Sequence, residues 1–118
     1  MAGSQSDLHK DSLILAINSP KSRLKGPYRV IYKKNTTNEF WALVAINWDG
    51  EPRLAMRWFY GKIGSPSSSG YPTWFIIPPS ITKTLLAGLP LNHALTTKID
   101  EFLSGKISGP DLNKEKGI

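Results

Sequence analysis

The run Arg53-Leu54-Ala55-Met56-Arg57-Trp58-Phe59-Tyr60 sets two arginines among three consecutive aromatic residues, in a stretch that otherwise reads as a β-strand. A Gly/Ser/Pro-rich segment from Gly61 to Pro72 leads to a second aromatic run, Trp74-Phe75-Ile76-Ile77. Guanidinium groups beside aromatic rings suit a sheet surface that holds a polyanion, with cations on phosphates and rings stacked on bases. The same residue types also fill the core of an ordinary sheet, so the run by itself leaves both readings open.

Six basic residues lie on or beside expected strands, namely Arg29, Lys33, Lys34, Arg53, Arg57 and Lys62, where they form a groove able to track a phosphate backbone. Tyr32, Phe40, Phe59, Tyr60, Tyr71 and Trp74 are the candidate stacking rings. A small sheet under short helices must spend some of these on its core, and Tyr60 and Trp74 are the ones assigned there. Phe59 and Tyr71 are expected to be exposed and to contact bases together with Arg57. On this reading Arg53→Ala with Arg57→Ala weakens binding and flattens its salt dependence while the fold survives.

The charge distribution supports an anionic partner. Net charge is +6, and Lys21 to Lys34 holds six basic residues without an acid. Arg53 to Lys83 adds Arg53, Arg57, Lys62 and Lys83, whereas Asn35 to Pro52 carries Glu39, Asp49 and Glu51. Such a block favours nucleic acid, an acidic protein or a lipid headgroup, and is also compatible with a plain solvated surface.

The search for catalytic chemistry finds little. With no cysteine, disulfides, thiolate nucleophiles and the usual structural zinc sites are excluded. His9 and His93 are the only histidines, and His93 has no carboxylate or histidine one helical turn away. Ser80-Ile81-Thr82-Lys83 matches a Ser-x-x-Lys pattern, but a helix cap after Pro79 explains it and the companion motifs are missing. No phosphate-cradling glycine loop occurs. The expectation is a non-enzymatic binding module without metal or cofactor.

The elements that would position these residues follow from periodicity. At 118 residues, 40% apolar and 20% charged, the chain suits one soluble domain. Residues 1–6 read as a disordered leader, 7–103 as a single α+β domain and 104–118 as a flexible tail. No secretory signal or apolar run long enough to span a bilayer is evident, which makes a cytoplasmic protein without membrane association the default. Asp7 to Ile17 suits a short helix or a strand. Tyr28 to Lys34 alternates, with Tyr28, Val30 and Tyr32 facing one way and Arg29, Ile31 and Lys33 the other. Phe40 to Trp48 is continuously apolar, Asp49-Gly50 is a hairpin signal, and Arg53 to Tyr60 returns antiparallel. Thr73 to Ile77 makes the fourth strand. Ser80 is placed as N-cap of a helix over Ile81 to Ala87, and Leu91 to Leu103 has the spacing of a second, amphipathic helix.

An even-length turn at Asp49 puts Trp41, Leu43 and Ala45 on one face with Trp58, Met56 and Leu54, a plain core. The opposite face then carries Phe40, Val44 and Ile46 with Arg53, Arg57 and Phe59. Something must cover that second face, and a homodimer is one solution.

The order strand, strand, long loop, Pro72-Thr73, strand, helix resembles the positive-cofactor-four transcriptional coactivators, with Thr73, Ile76, Pro79 and Leu85-Leu86 in the places of that family's last strand and helix. The likeness covers roughly residues 28 to 88. It implies a dimeric, curved-sheet binder of single-stranded DNA. Trp74-Phe75 stand where the family has a basic residue and a glycine, and the helix stops at Gly88, so no binding residue is carried over.

The resulting expectation is a four-stranded, mainly antiparallel twisted sheet with C-terminal helices packed on one face. Its partner is single-stranded or distorted nucleic acid. The alternative is a small protein-interaction module (an inhibitor, immunity or adaptor protein) docking an acidic partner through the Gly61–Pro72 loop.

Overall fold

The computed structural model describes residues 10–60 and 63–114. The expected leader, His9 and Lys62 therefore lie outside the described residues. In chain order the elements are α1 (Asp11–Leu15), β1 (Leu24–Asn35), β2 (Phe40–Trp48), β3 (Glu51–Trp58), the short strands β4 (Ser67–Ser68), β5 (Tyr71–Pro72) and β6 (Phe75–Ile76), then α2 (Pro79–Ala87), α3 (His93–Leu103) and α4 (Gly109–Lys114). The α+β expectation holds: β1-β2-β3-β6 form a four-stranded antiparallel sheet with helices against it.

The central hairpin is set by its turn. Asp49 and Gly50 take φ of 52° and 84°, the left-handed pair that matches strand twist in a two-residue loop. Pro52 pairs with Asn47 inside the ladder rather than belonging to the turn. The register that follows is Trp41 opposite Trp58, Leu43 opposite Met56 and Ala45 opposite Leu54, the face partition expected from an even loop.

Both faces of the sheet are cores. On one, Leu43, Ala45, Leu54 and Ile77 pack with Leu86 of α2, Leu95, Ile99 and Phe102 of α3 and Leu112 of α4. On the other, Ala42, Val44, Ile46 and Ala55 pack with Ile14 of α1, Leu24 and Trp74. Ala42 to Ile46 are consequently buried without a break, which is why β2 reads as a solid apolar run instead of an alternation. The second face is covered by the chain's own α1 and Trp74, whose indole Nε1 donates to the Ile17 carbonyl at 2.7 Å. The uncovered surface that suggested a second copy is thus absent from the middle of the sheet.

Three local expectations are corrected. The alternation in β1 breaks at a register shift between Val30 and Tyr32, so Val30 joins the α1-side core while Ile31 and Tyr32 join the helix-side core. Ser80 is not the cap of α2. That helix starts at Pro79 after Pro78 with no side-chain cap, and proline at the first turn sacrifices an N–H that would be orphaned anyway. Asn92 caps α3 instead, its side-chain oxygen accepting from the Ala94 N–H at 2.7 Å. Finally, the chain after Ser104 includes α4, which buries Leu112 fully and lays Gly109 flat against the Tyr28 ring, where a Cβ would have no room.

Candidate aromatic binding platform

β3 leaves the sheet with Arg57 and Trp58 on opposite faces, and the two faces treat them differently. Arg57 is 1% exposed. Its guanidinium donates to the Thr73 carbonyl at 2.6 Å, to the Pro66 carbonyl at 3.1 Å and to the Ile63 carbonyl, and lies 5.3 Å from the Phe59 ring centre. Burial pulls its pKa down from the ordinary arginine value. Three charge-assisted bonds to backbone carbonyls offset that desolvation and fasten the loop to the sheet edge. Arg57 is therefore buried and engaged with backbone carbonyls rather than exposed on the sheet surface, as a contact to bases would need. The loop is also more ordered in form than its composition suggests: β4 and β5 make a hairpin in it, and Ser65 bridges to Trp58.

Trp58, on the other face, is 40% exposed. It belongs to a contiguous set of rings at the end of the sheet beyond the helices. Tyr32 lies 5.5 Å from Trp41, Trp41 6.4 Å from Trp58, Trp58 5.9 Å from Tyr60 and Tyr60 5.7 Å from Phe40, as centroid distances. The Trp58 and Tyr60 planes are 18° apart, a stacked pair. Tyr60 is 44% exposed, against its expected burial, and its hydroxyl donates to the Asn38 carbonyl, which fixes the ring over the β1–β2 turn. Register adds a cation to this surface, because Lys34 stands opposite Trp41 and the cross-strand row reads Lys34, Trp41, Trp58.

Next to the platform, between the sheet and the C-terminal turn of α2, runs an apolar groove of about 450 Å³ with Trp41, Met56, Trp58, Leu85 and Leu89 on its walls. Glu39 sits on its rim and accepts from the Trp41 indole Nε1 at 3.1 Å. On the far side of Trp58, Met56, Phe75, Ser65 and Pro66 enclose a second hollow of about 400 Å³, and Phe75 is 56% exposed.

The expected binding residues are dispersed rather than joined in one groove. Arg29 donates to the Leu112 carbonyl of α4 at 3.3 Å on the helix side. Lys33 pairs with Asp11 of α1 at 2.8 Å on the opposite side. Arg53 is half-buried and donates to the Pro52 carbonyl at 2.8 Å. Phe59 is half-buried beneath Arg57, correcting its expected exposure. Tyr71 is exposed as expected, at the tip of the β4–β5 hairpin, but away from the ring cluster in sequence pairing. Among the described residues, Lys34 is the one named basic residue that falls in the register row of the aromatic platform.

Sequence reasoning missed Trp41, Trp58 and Glu39. The face partition holds, but its far end, expected as plain core, is open to solvent at Trp58. One signal was available: α2 is stopped at Gly88, so it is too short to roof the far end of strands nine and eight residues long. Among the described residues no helix is long and apolar enough to cross a membrane. No family model, curated protein or solved structure matches this chain.

Proposed function

We propose that this protein is a non-enzymatic module for single-stranded nucleic acid, and that it binds by stacking bases on the Trp41–Trp58–Tyr60 surface. The observation that carries the reading is the exposed, nearly parallel Trp58–Tyr60 pair, with Trp41 and Tyr32 in ring contact beyond it and Lys34 in the cross-strand row of Trp41 and Trp58. Stacking contributes about 1–3 kcal/mol per base, so two accessible rings account for micromolar binding of a short strand when joined to phosphate contacts.

This mode differs from an arginine groove in its response to salt. A groove using all six expected cations would give a slope of log K against log[salt] near −4 for a single strand, at about −0.7 per phosphate. With Lys34 as the cation beside the rings, the slope falls to about −0.7. The test is quenching of tryptophan fluorescence by single- and double-stranded oligonucleotides across a salt series. Single-strand preference with a shallow slope supports the platform. A steep slope without quenching places binding elsewhere, and no binding at low salt leaves the apolar groove as a docking site for a protein partner.

A further inference from the structure

Two polar side chains, Glu39 and Thr84, line the groove beside the platform. Glu39 offers a carboxylate, which only accepts hydrogen bonds, the Thr84 hydroxyl can donate or accept, and among the described residues no lysine, arginine or histidine lines the groove. The C-terminal turn of α2 forms the opposite lip through Leu85, Gly88 and Leu89, and presents the negative end of that helix. The walls are the rings of Trp41 and Trp58, in edge contact with each other, with Leu43 and Met56 as the next cross-strand pair. The bond from the Trp41 indole holds Glu39 at the mouth and uses one of the carboxylate's several acceptor sites. An occupant that is flat and apolar on its faces and carries donors along one edge, toward Glu39, fits this lining.

Bases differ in that edge. Guanine presents two adjacent donors, N1–H and the N2 amine, which match the two oxygens of one carboxylate. Cytosine and adenine present one amine beside a ring-nitrogen acceptor that repels a carboxylate, and thymine has a single N–H between two carbonyls. We propose that the groove selects guanine within a single strand, with Glu39 reading N1–H and N2–H while the base lies against Trp41 and Trp58. The inference rests on the single-strand reading above and gives it a base preference.

The experiment compares three labelled 11-mers by fluorescence anisotropy: all-thymidine, the same strand with one central guanine, and the same strand with inosine at that place, which lacks the N2 amine. The guanine strand is expected to bind about tenfold tighter than all-thymidine, with inosine between them. Glu39→Gln should erase the guanine preference, so that the guanine, inosine and all-thymidine strands bind within about twofold of one another. If the guanine and all-thymidine strands bind equally, the guanine assignment is wrong and the stacking platform stands. If none of the three binds at low salt, both fall.

Discussion

Arg57 and Trp58 are neighbours in the chain and opposites in the structure. In sequence they belong to one arginine–aromatic run. The strand pleat sends Arg57 to the side where α1, Trp74 and the loop close over the sheet, and Trp58 to the side where α2 ends too soon to cover it. A side chain suited to phosphate bonds three backbone carbonyls instead, while one suited to the core is partly open to solvent. Residue type alone therefore does not assign a role here; the length of the covering element does.

The sharpest way to break this contrast is to remove each side chain and watch two readouts. Arg57→Ala leaves the Ile63, Pro66 and Thr73 carbonyls without their donor and empties a buried site. Bonds to a charged donor contribute about 1.5–3 kcal/mol each, and together with the void the loss should be about 3 kcal/mol or more in denaturant unfolding. This reverses the sequence-level expectation that the Arg53/Arg57 double variant would leave the fold intact. An unchanged midpoint for Arg57→Ala would show that the loop does not depend on the guanidinium.

A smaller loss is expected at Gly64, which sits at φ 72° where an added Cβ would meet the Trp58 carbonyl and the Arg57 guanidinium. Gly64→Ala should lower stability by about 2 kcal/mol through backbone strain and the clash. Limited proteolysis should then cut first between residues 63 and 73, because the same carbonyls lose their register on Arg57. Cleavage elsewhere would mean that the loop is held by something other than this latch.

Trp58→Ala should behave in the opposite sense, with little change in unfolding midpoint and a large change in binding. Loss of one stacking ring corresponds to about 1–3 kcal/mol, roughly tenfold to a hundredfold in affinity. Tyr60→Ala should show the same pattern more weakly, because its hydroxyl also anchors the β1–β2 turn. A Trp58→Ala protein that binds single strands as well as the parent would end the platform reading.

How far the sequence was legible follows from these residues. The hairpin at Asp49-Gly50, the register it dictates and the two longer C-terminal helices could be read because each depends on local signals: a turn dipeptide, a period of two, a period of 3.6. The fate of Arg57 could not, since its partners Ile63, Pro66 and Thr73 lie on a loop whose path is set by tertiary contacts. The β1 bulge and α4 escaped for the same reason. The first inserts one residue without a sequence marker, and the second is a six-residue helix that exists by packing Leu112 and Gly109 onto the β1 side of the core.

The smallest expected effect sharpens the contrast between a buried and an exposed arginine. Arg23 makes a bidentate pair with Asp49 at 2.6 and 3.0 Å, and its guanidinium lies 4.4 Å from the Trp48 ring centre. Both partners are about half exposed, so solvent screens the pair. The hydrogen bond from Arg23 holds the Asp49 carboxyl below its ordinary value, and bonds from the Ser108 backbone and side chain do the same for Asp111. A carboxyl with a depressed folded pKa contributes fully above its unfolded value of about 4, and the contribution disappears as pH falls through the folded pKa. The thermal midpoint should accordingly be flat from pH 7 to 5 and decline below about pH 4, and Asp49→Asn should make that decline shallower. Arg57 has no carboxylate among its hydrogen-bond partners, so the latch itself should be indifferent to acid in this range. If Asp49→Asn instead steepens the acid decline, the Arg23 pair is not what stabilises the turn.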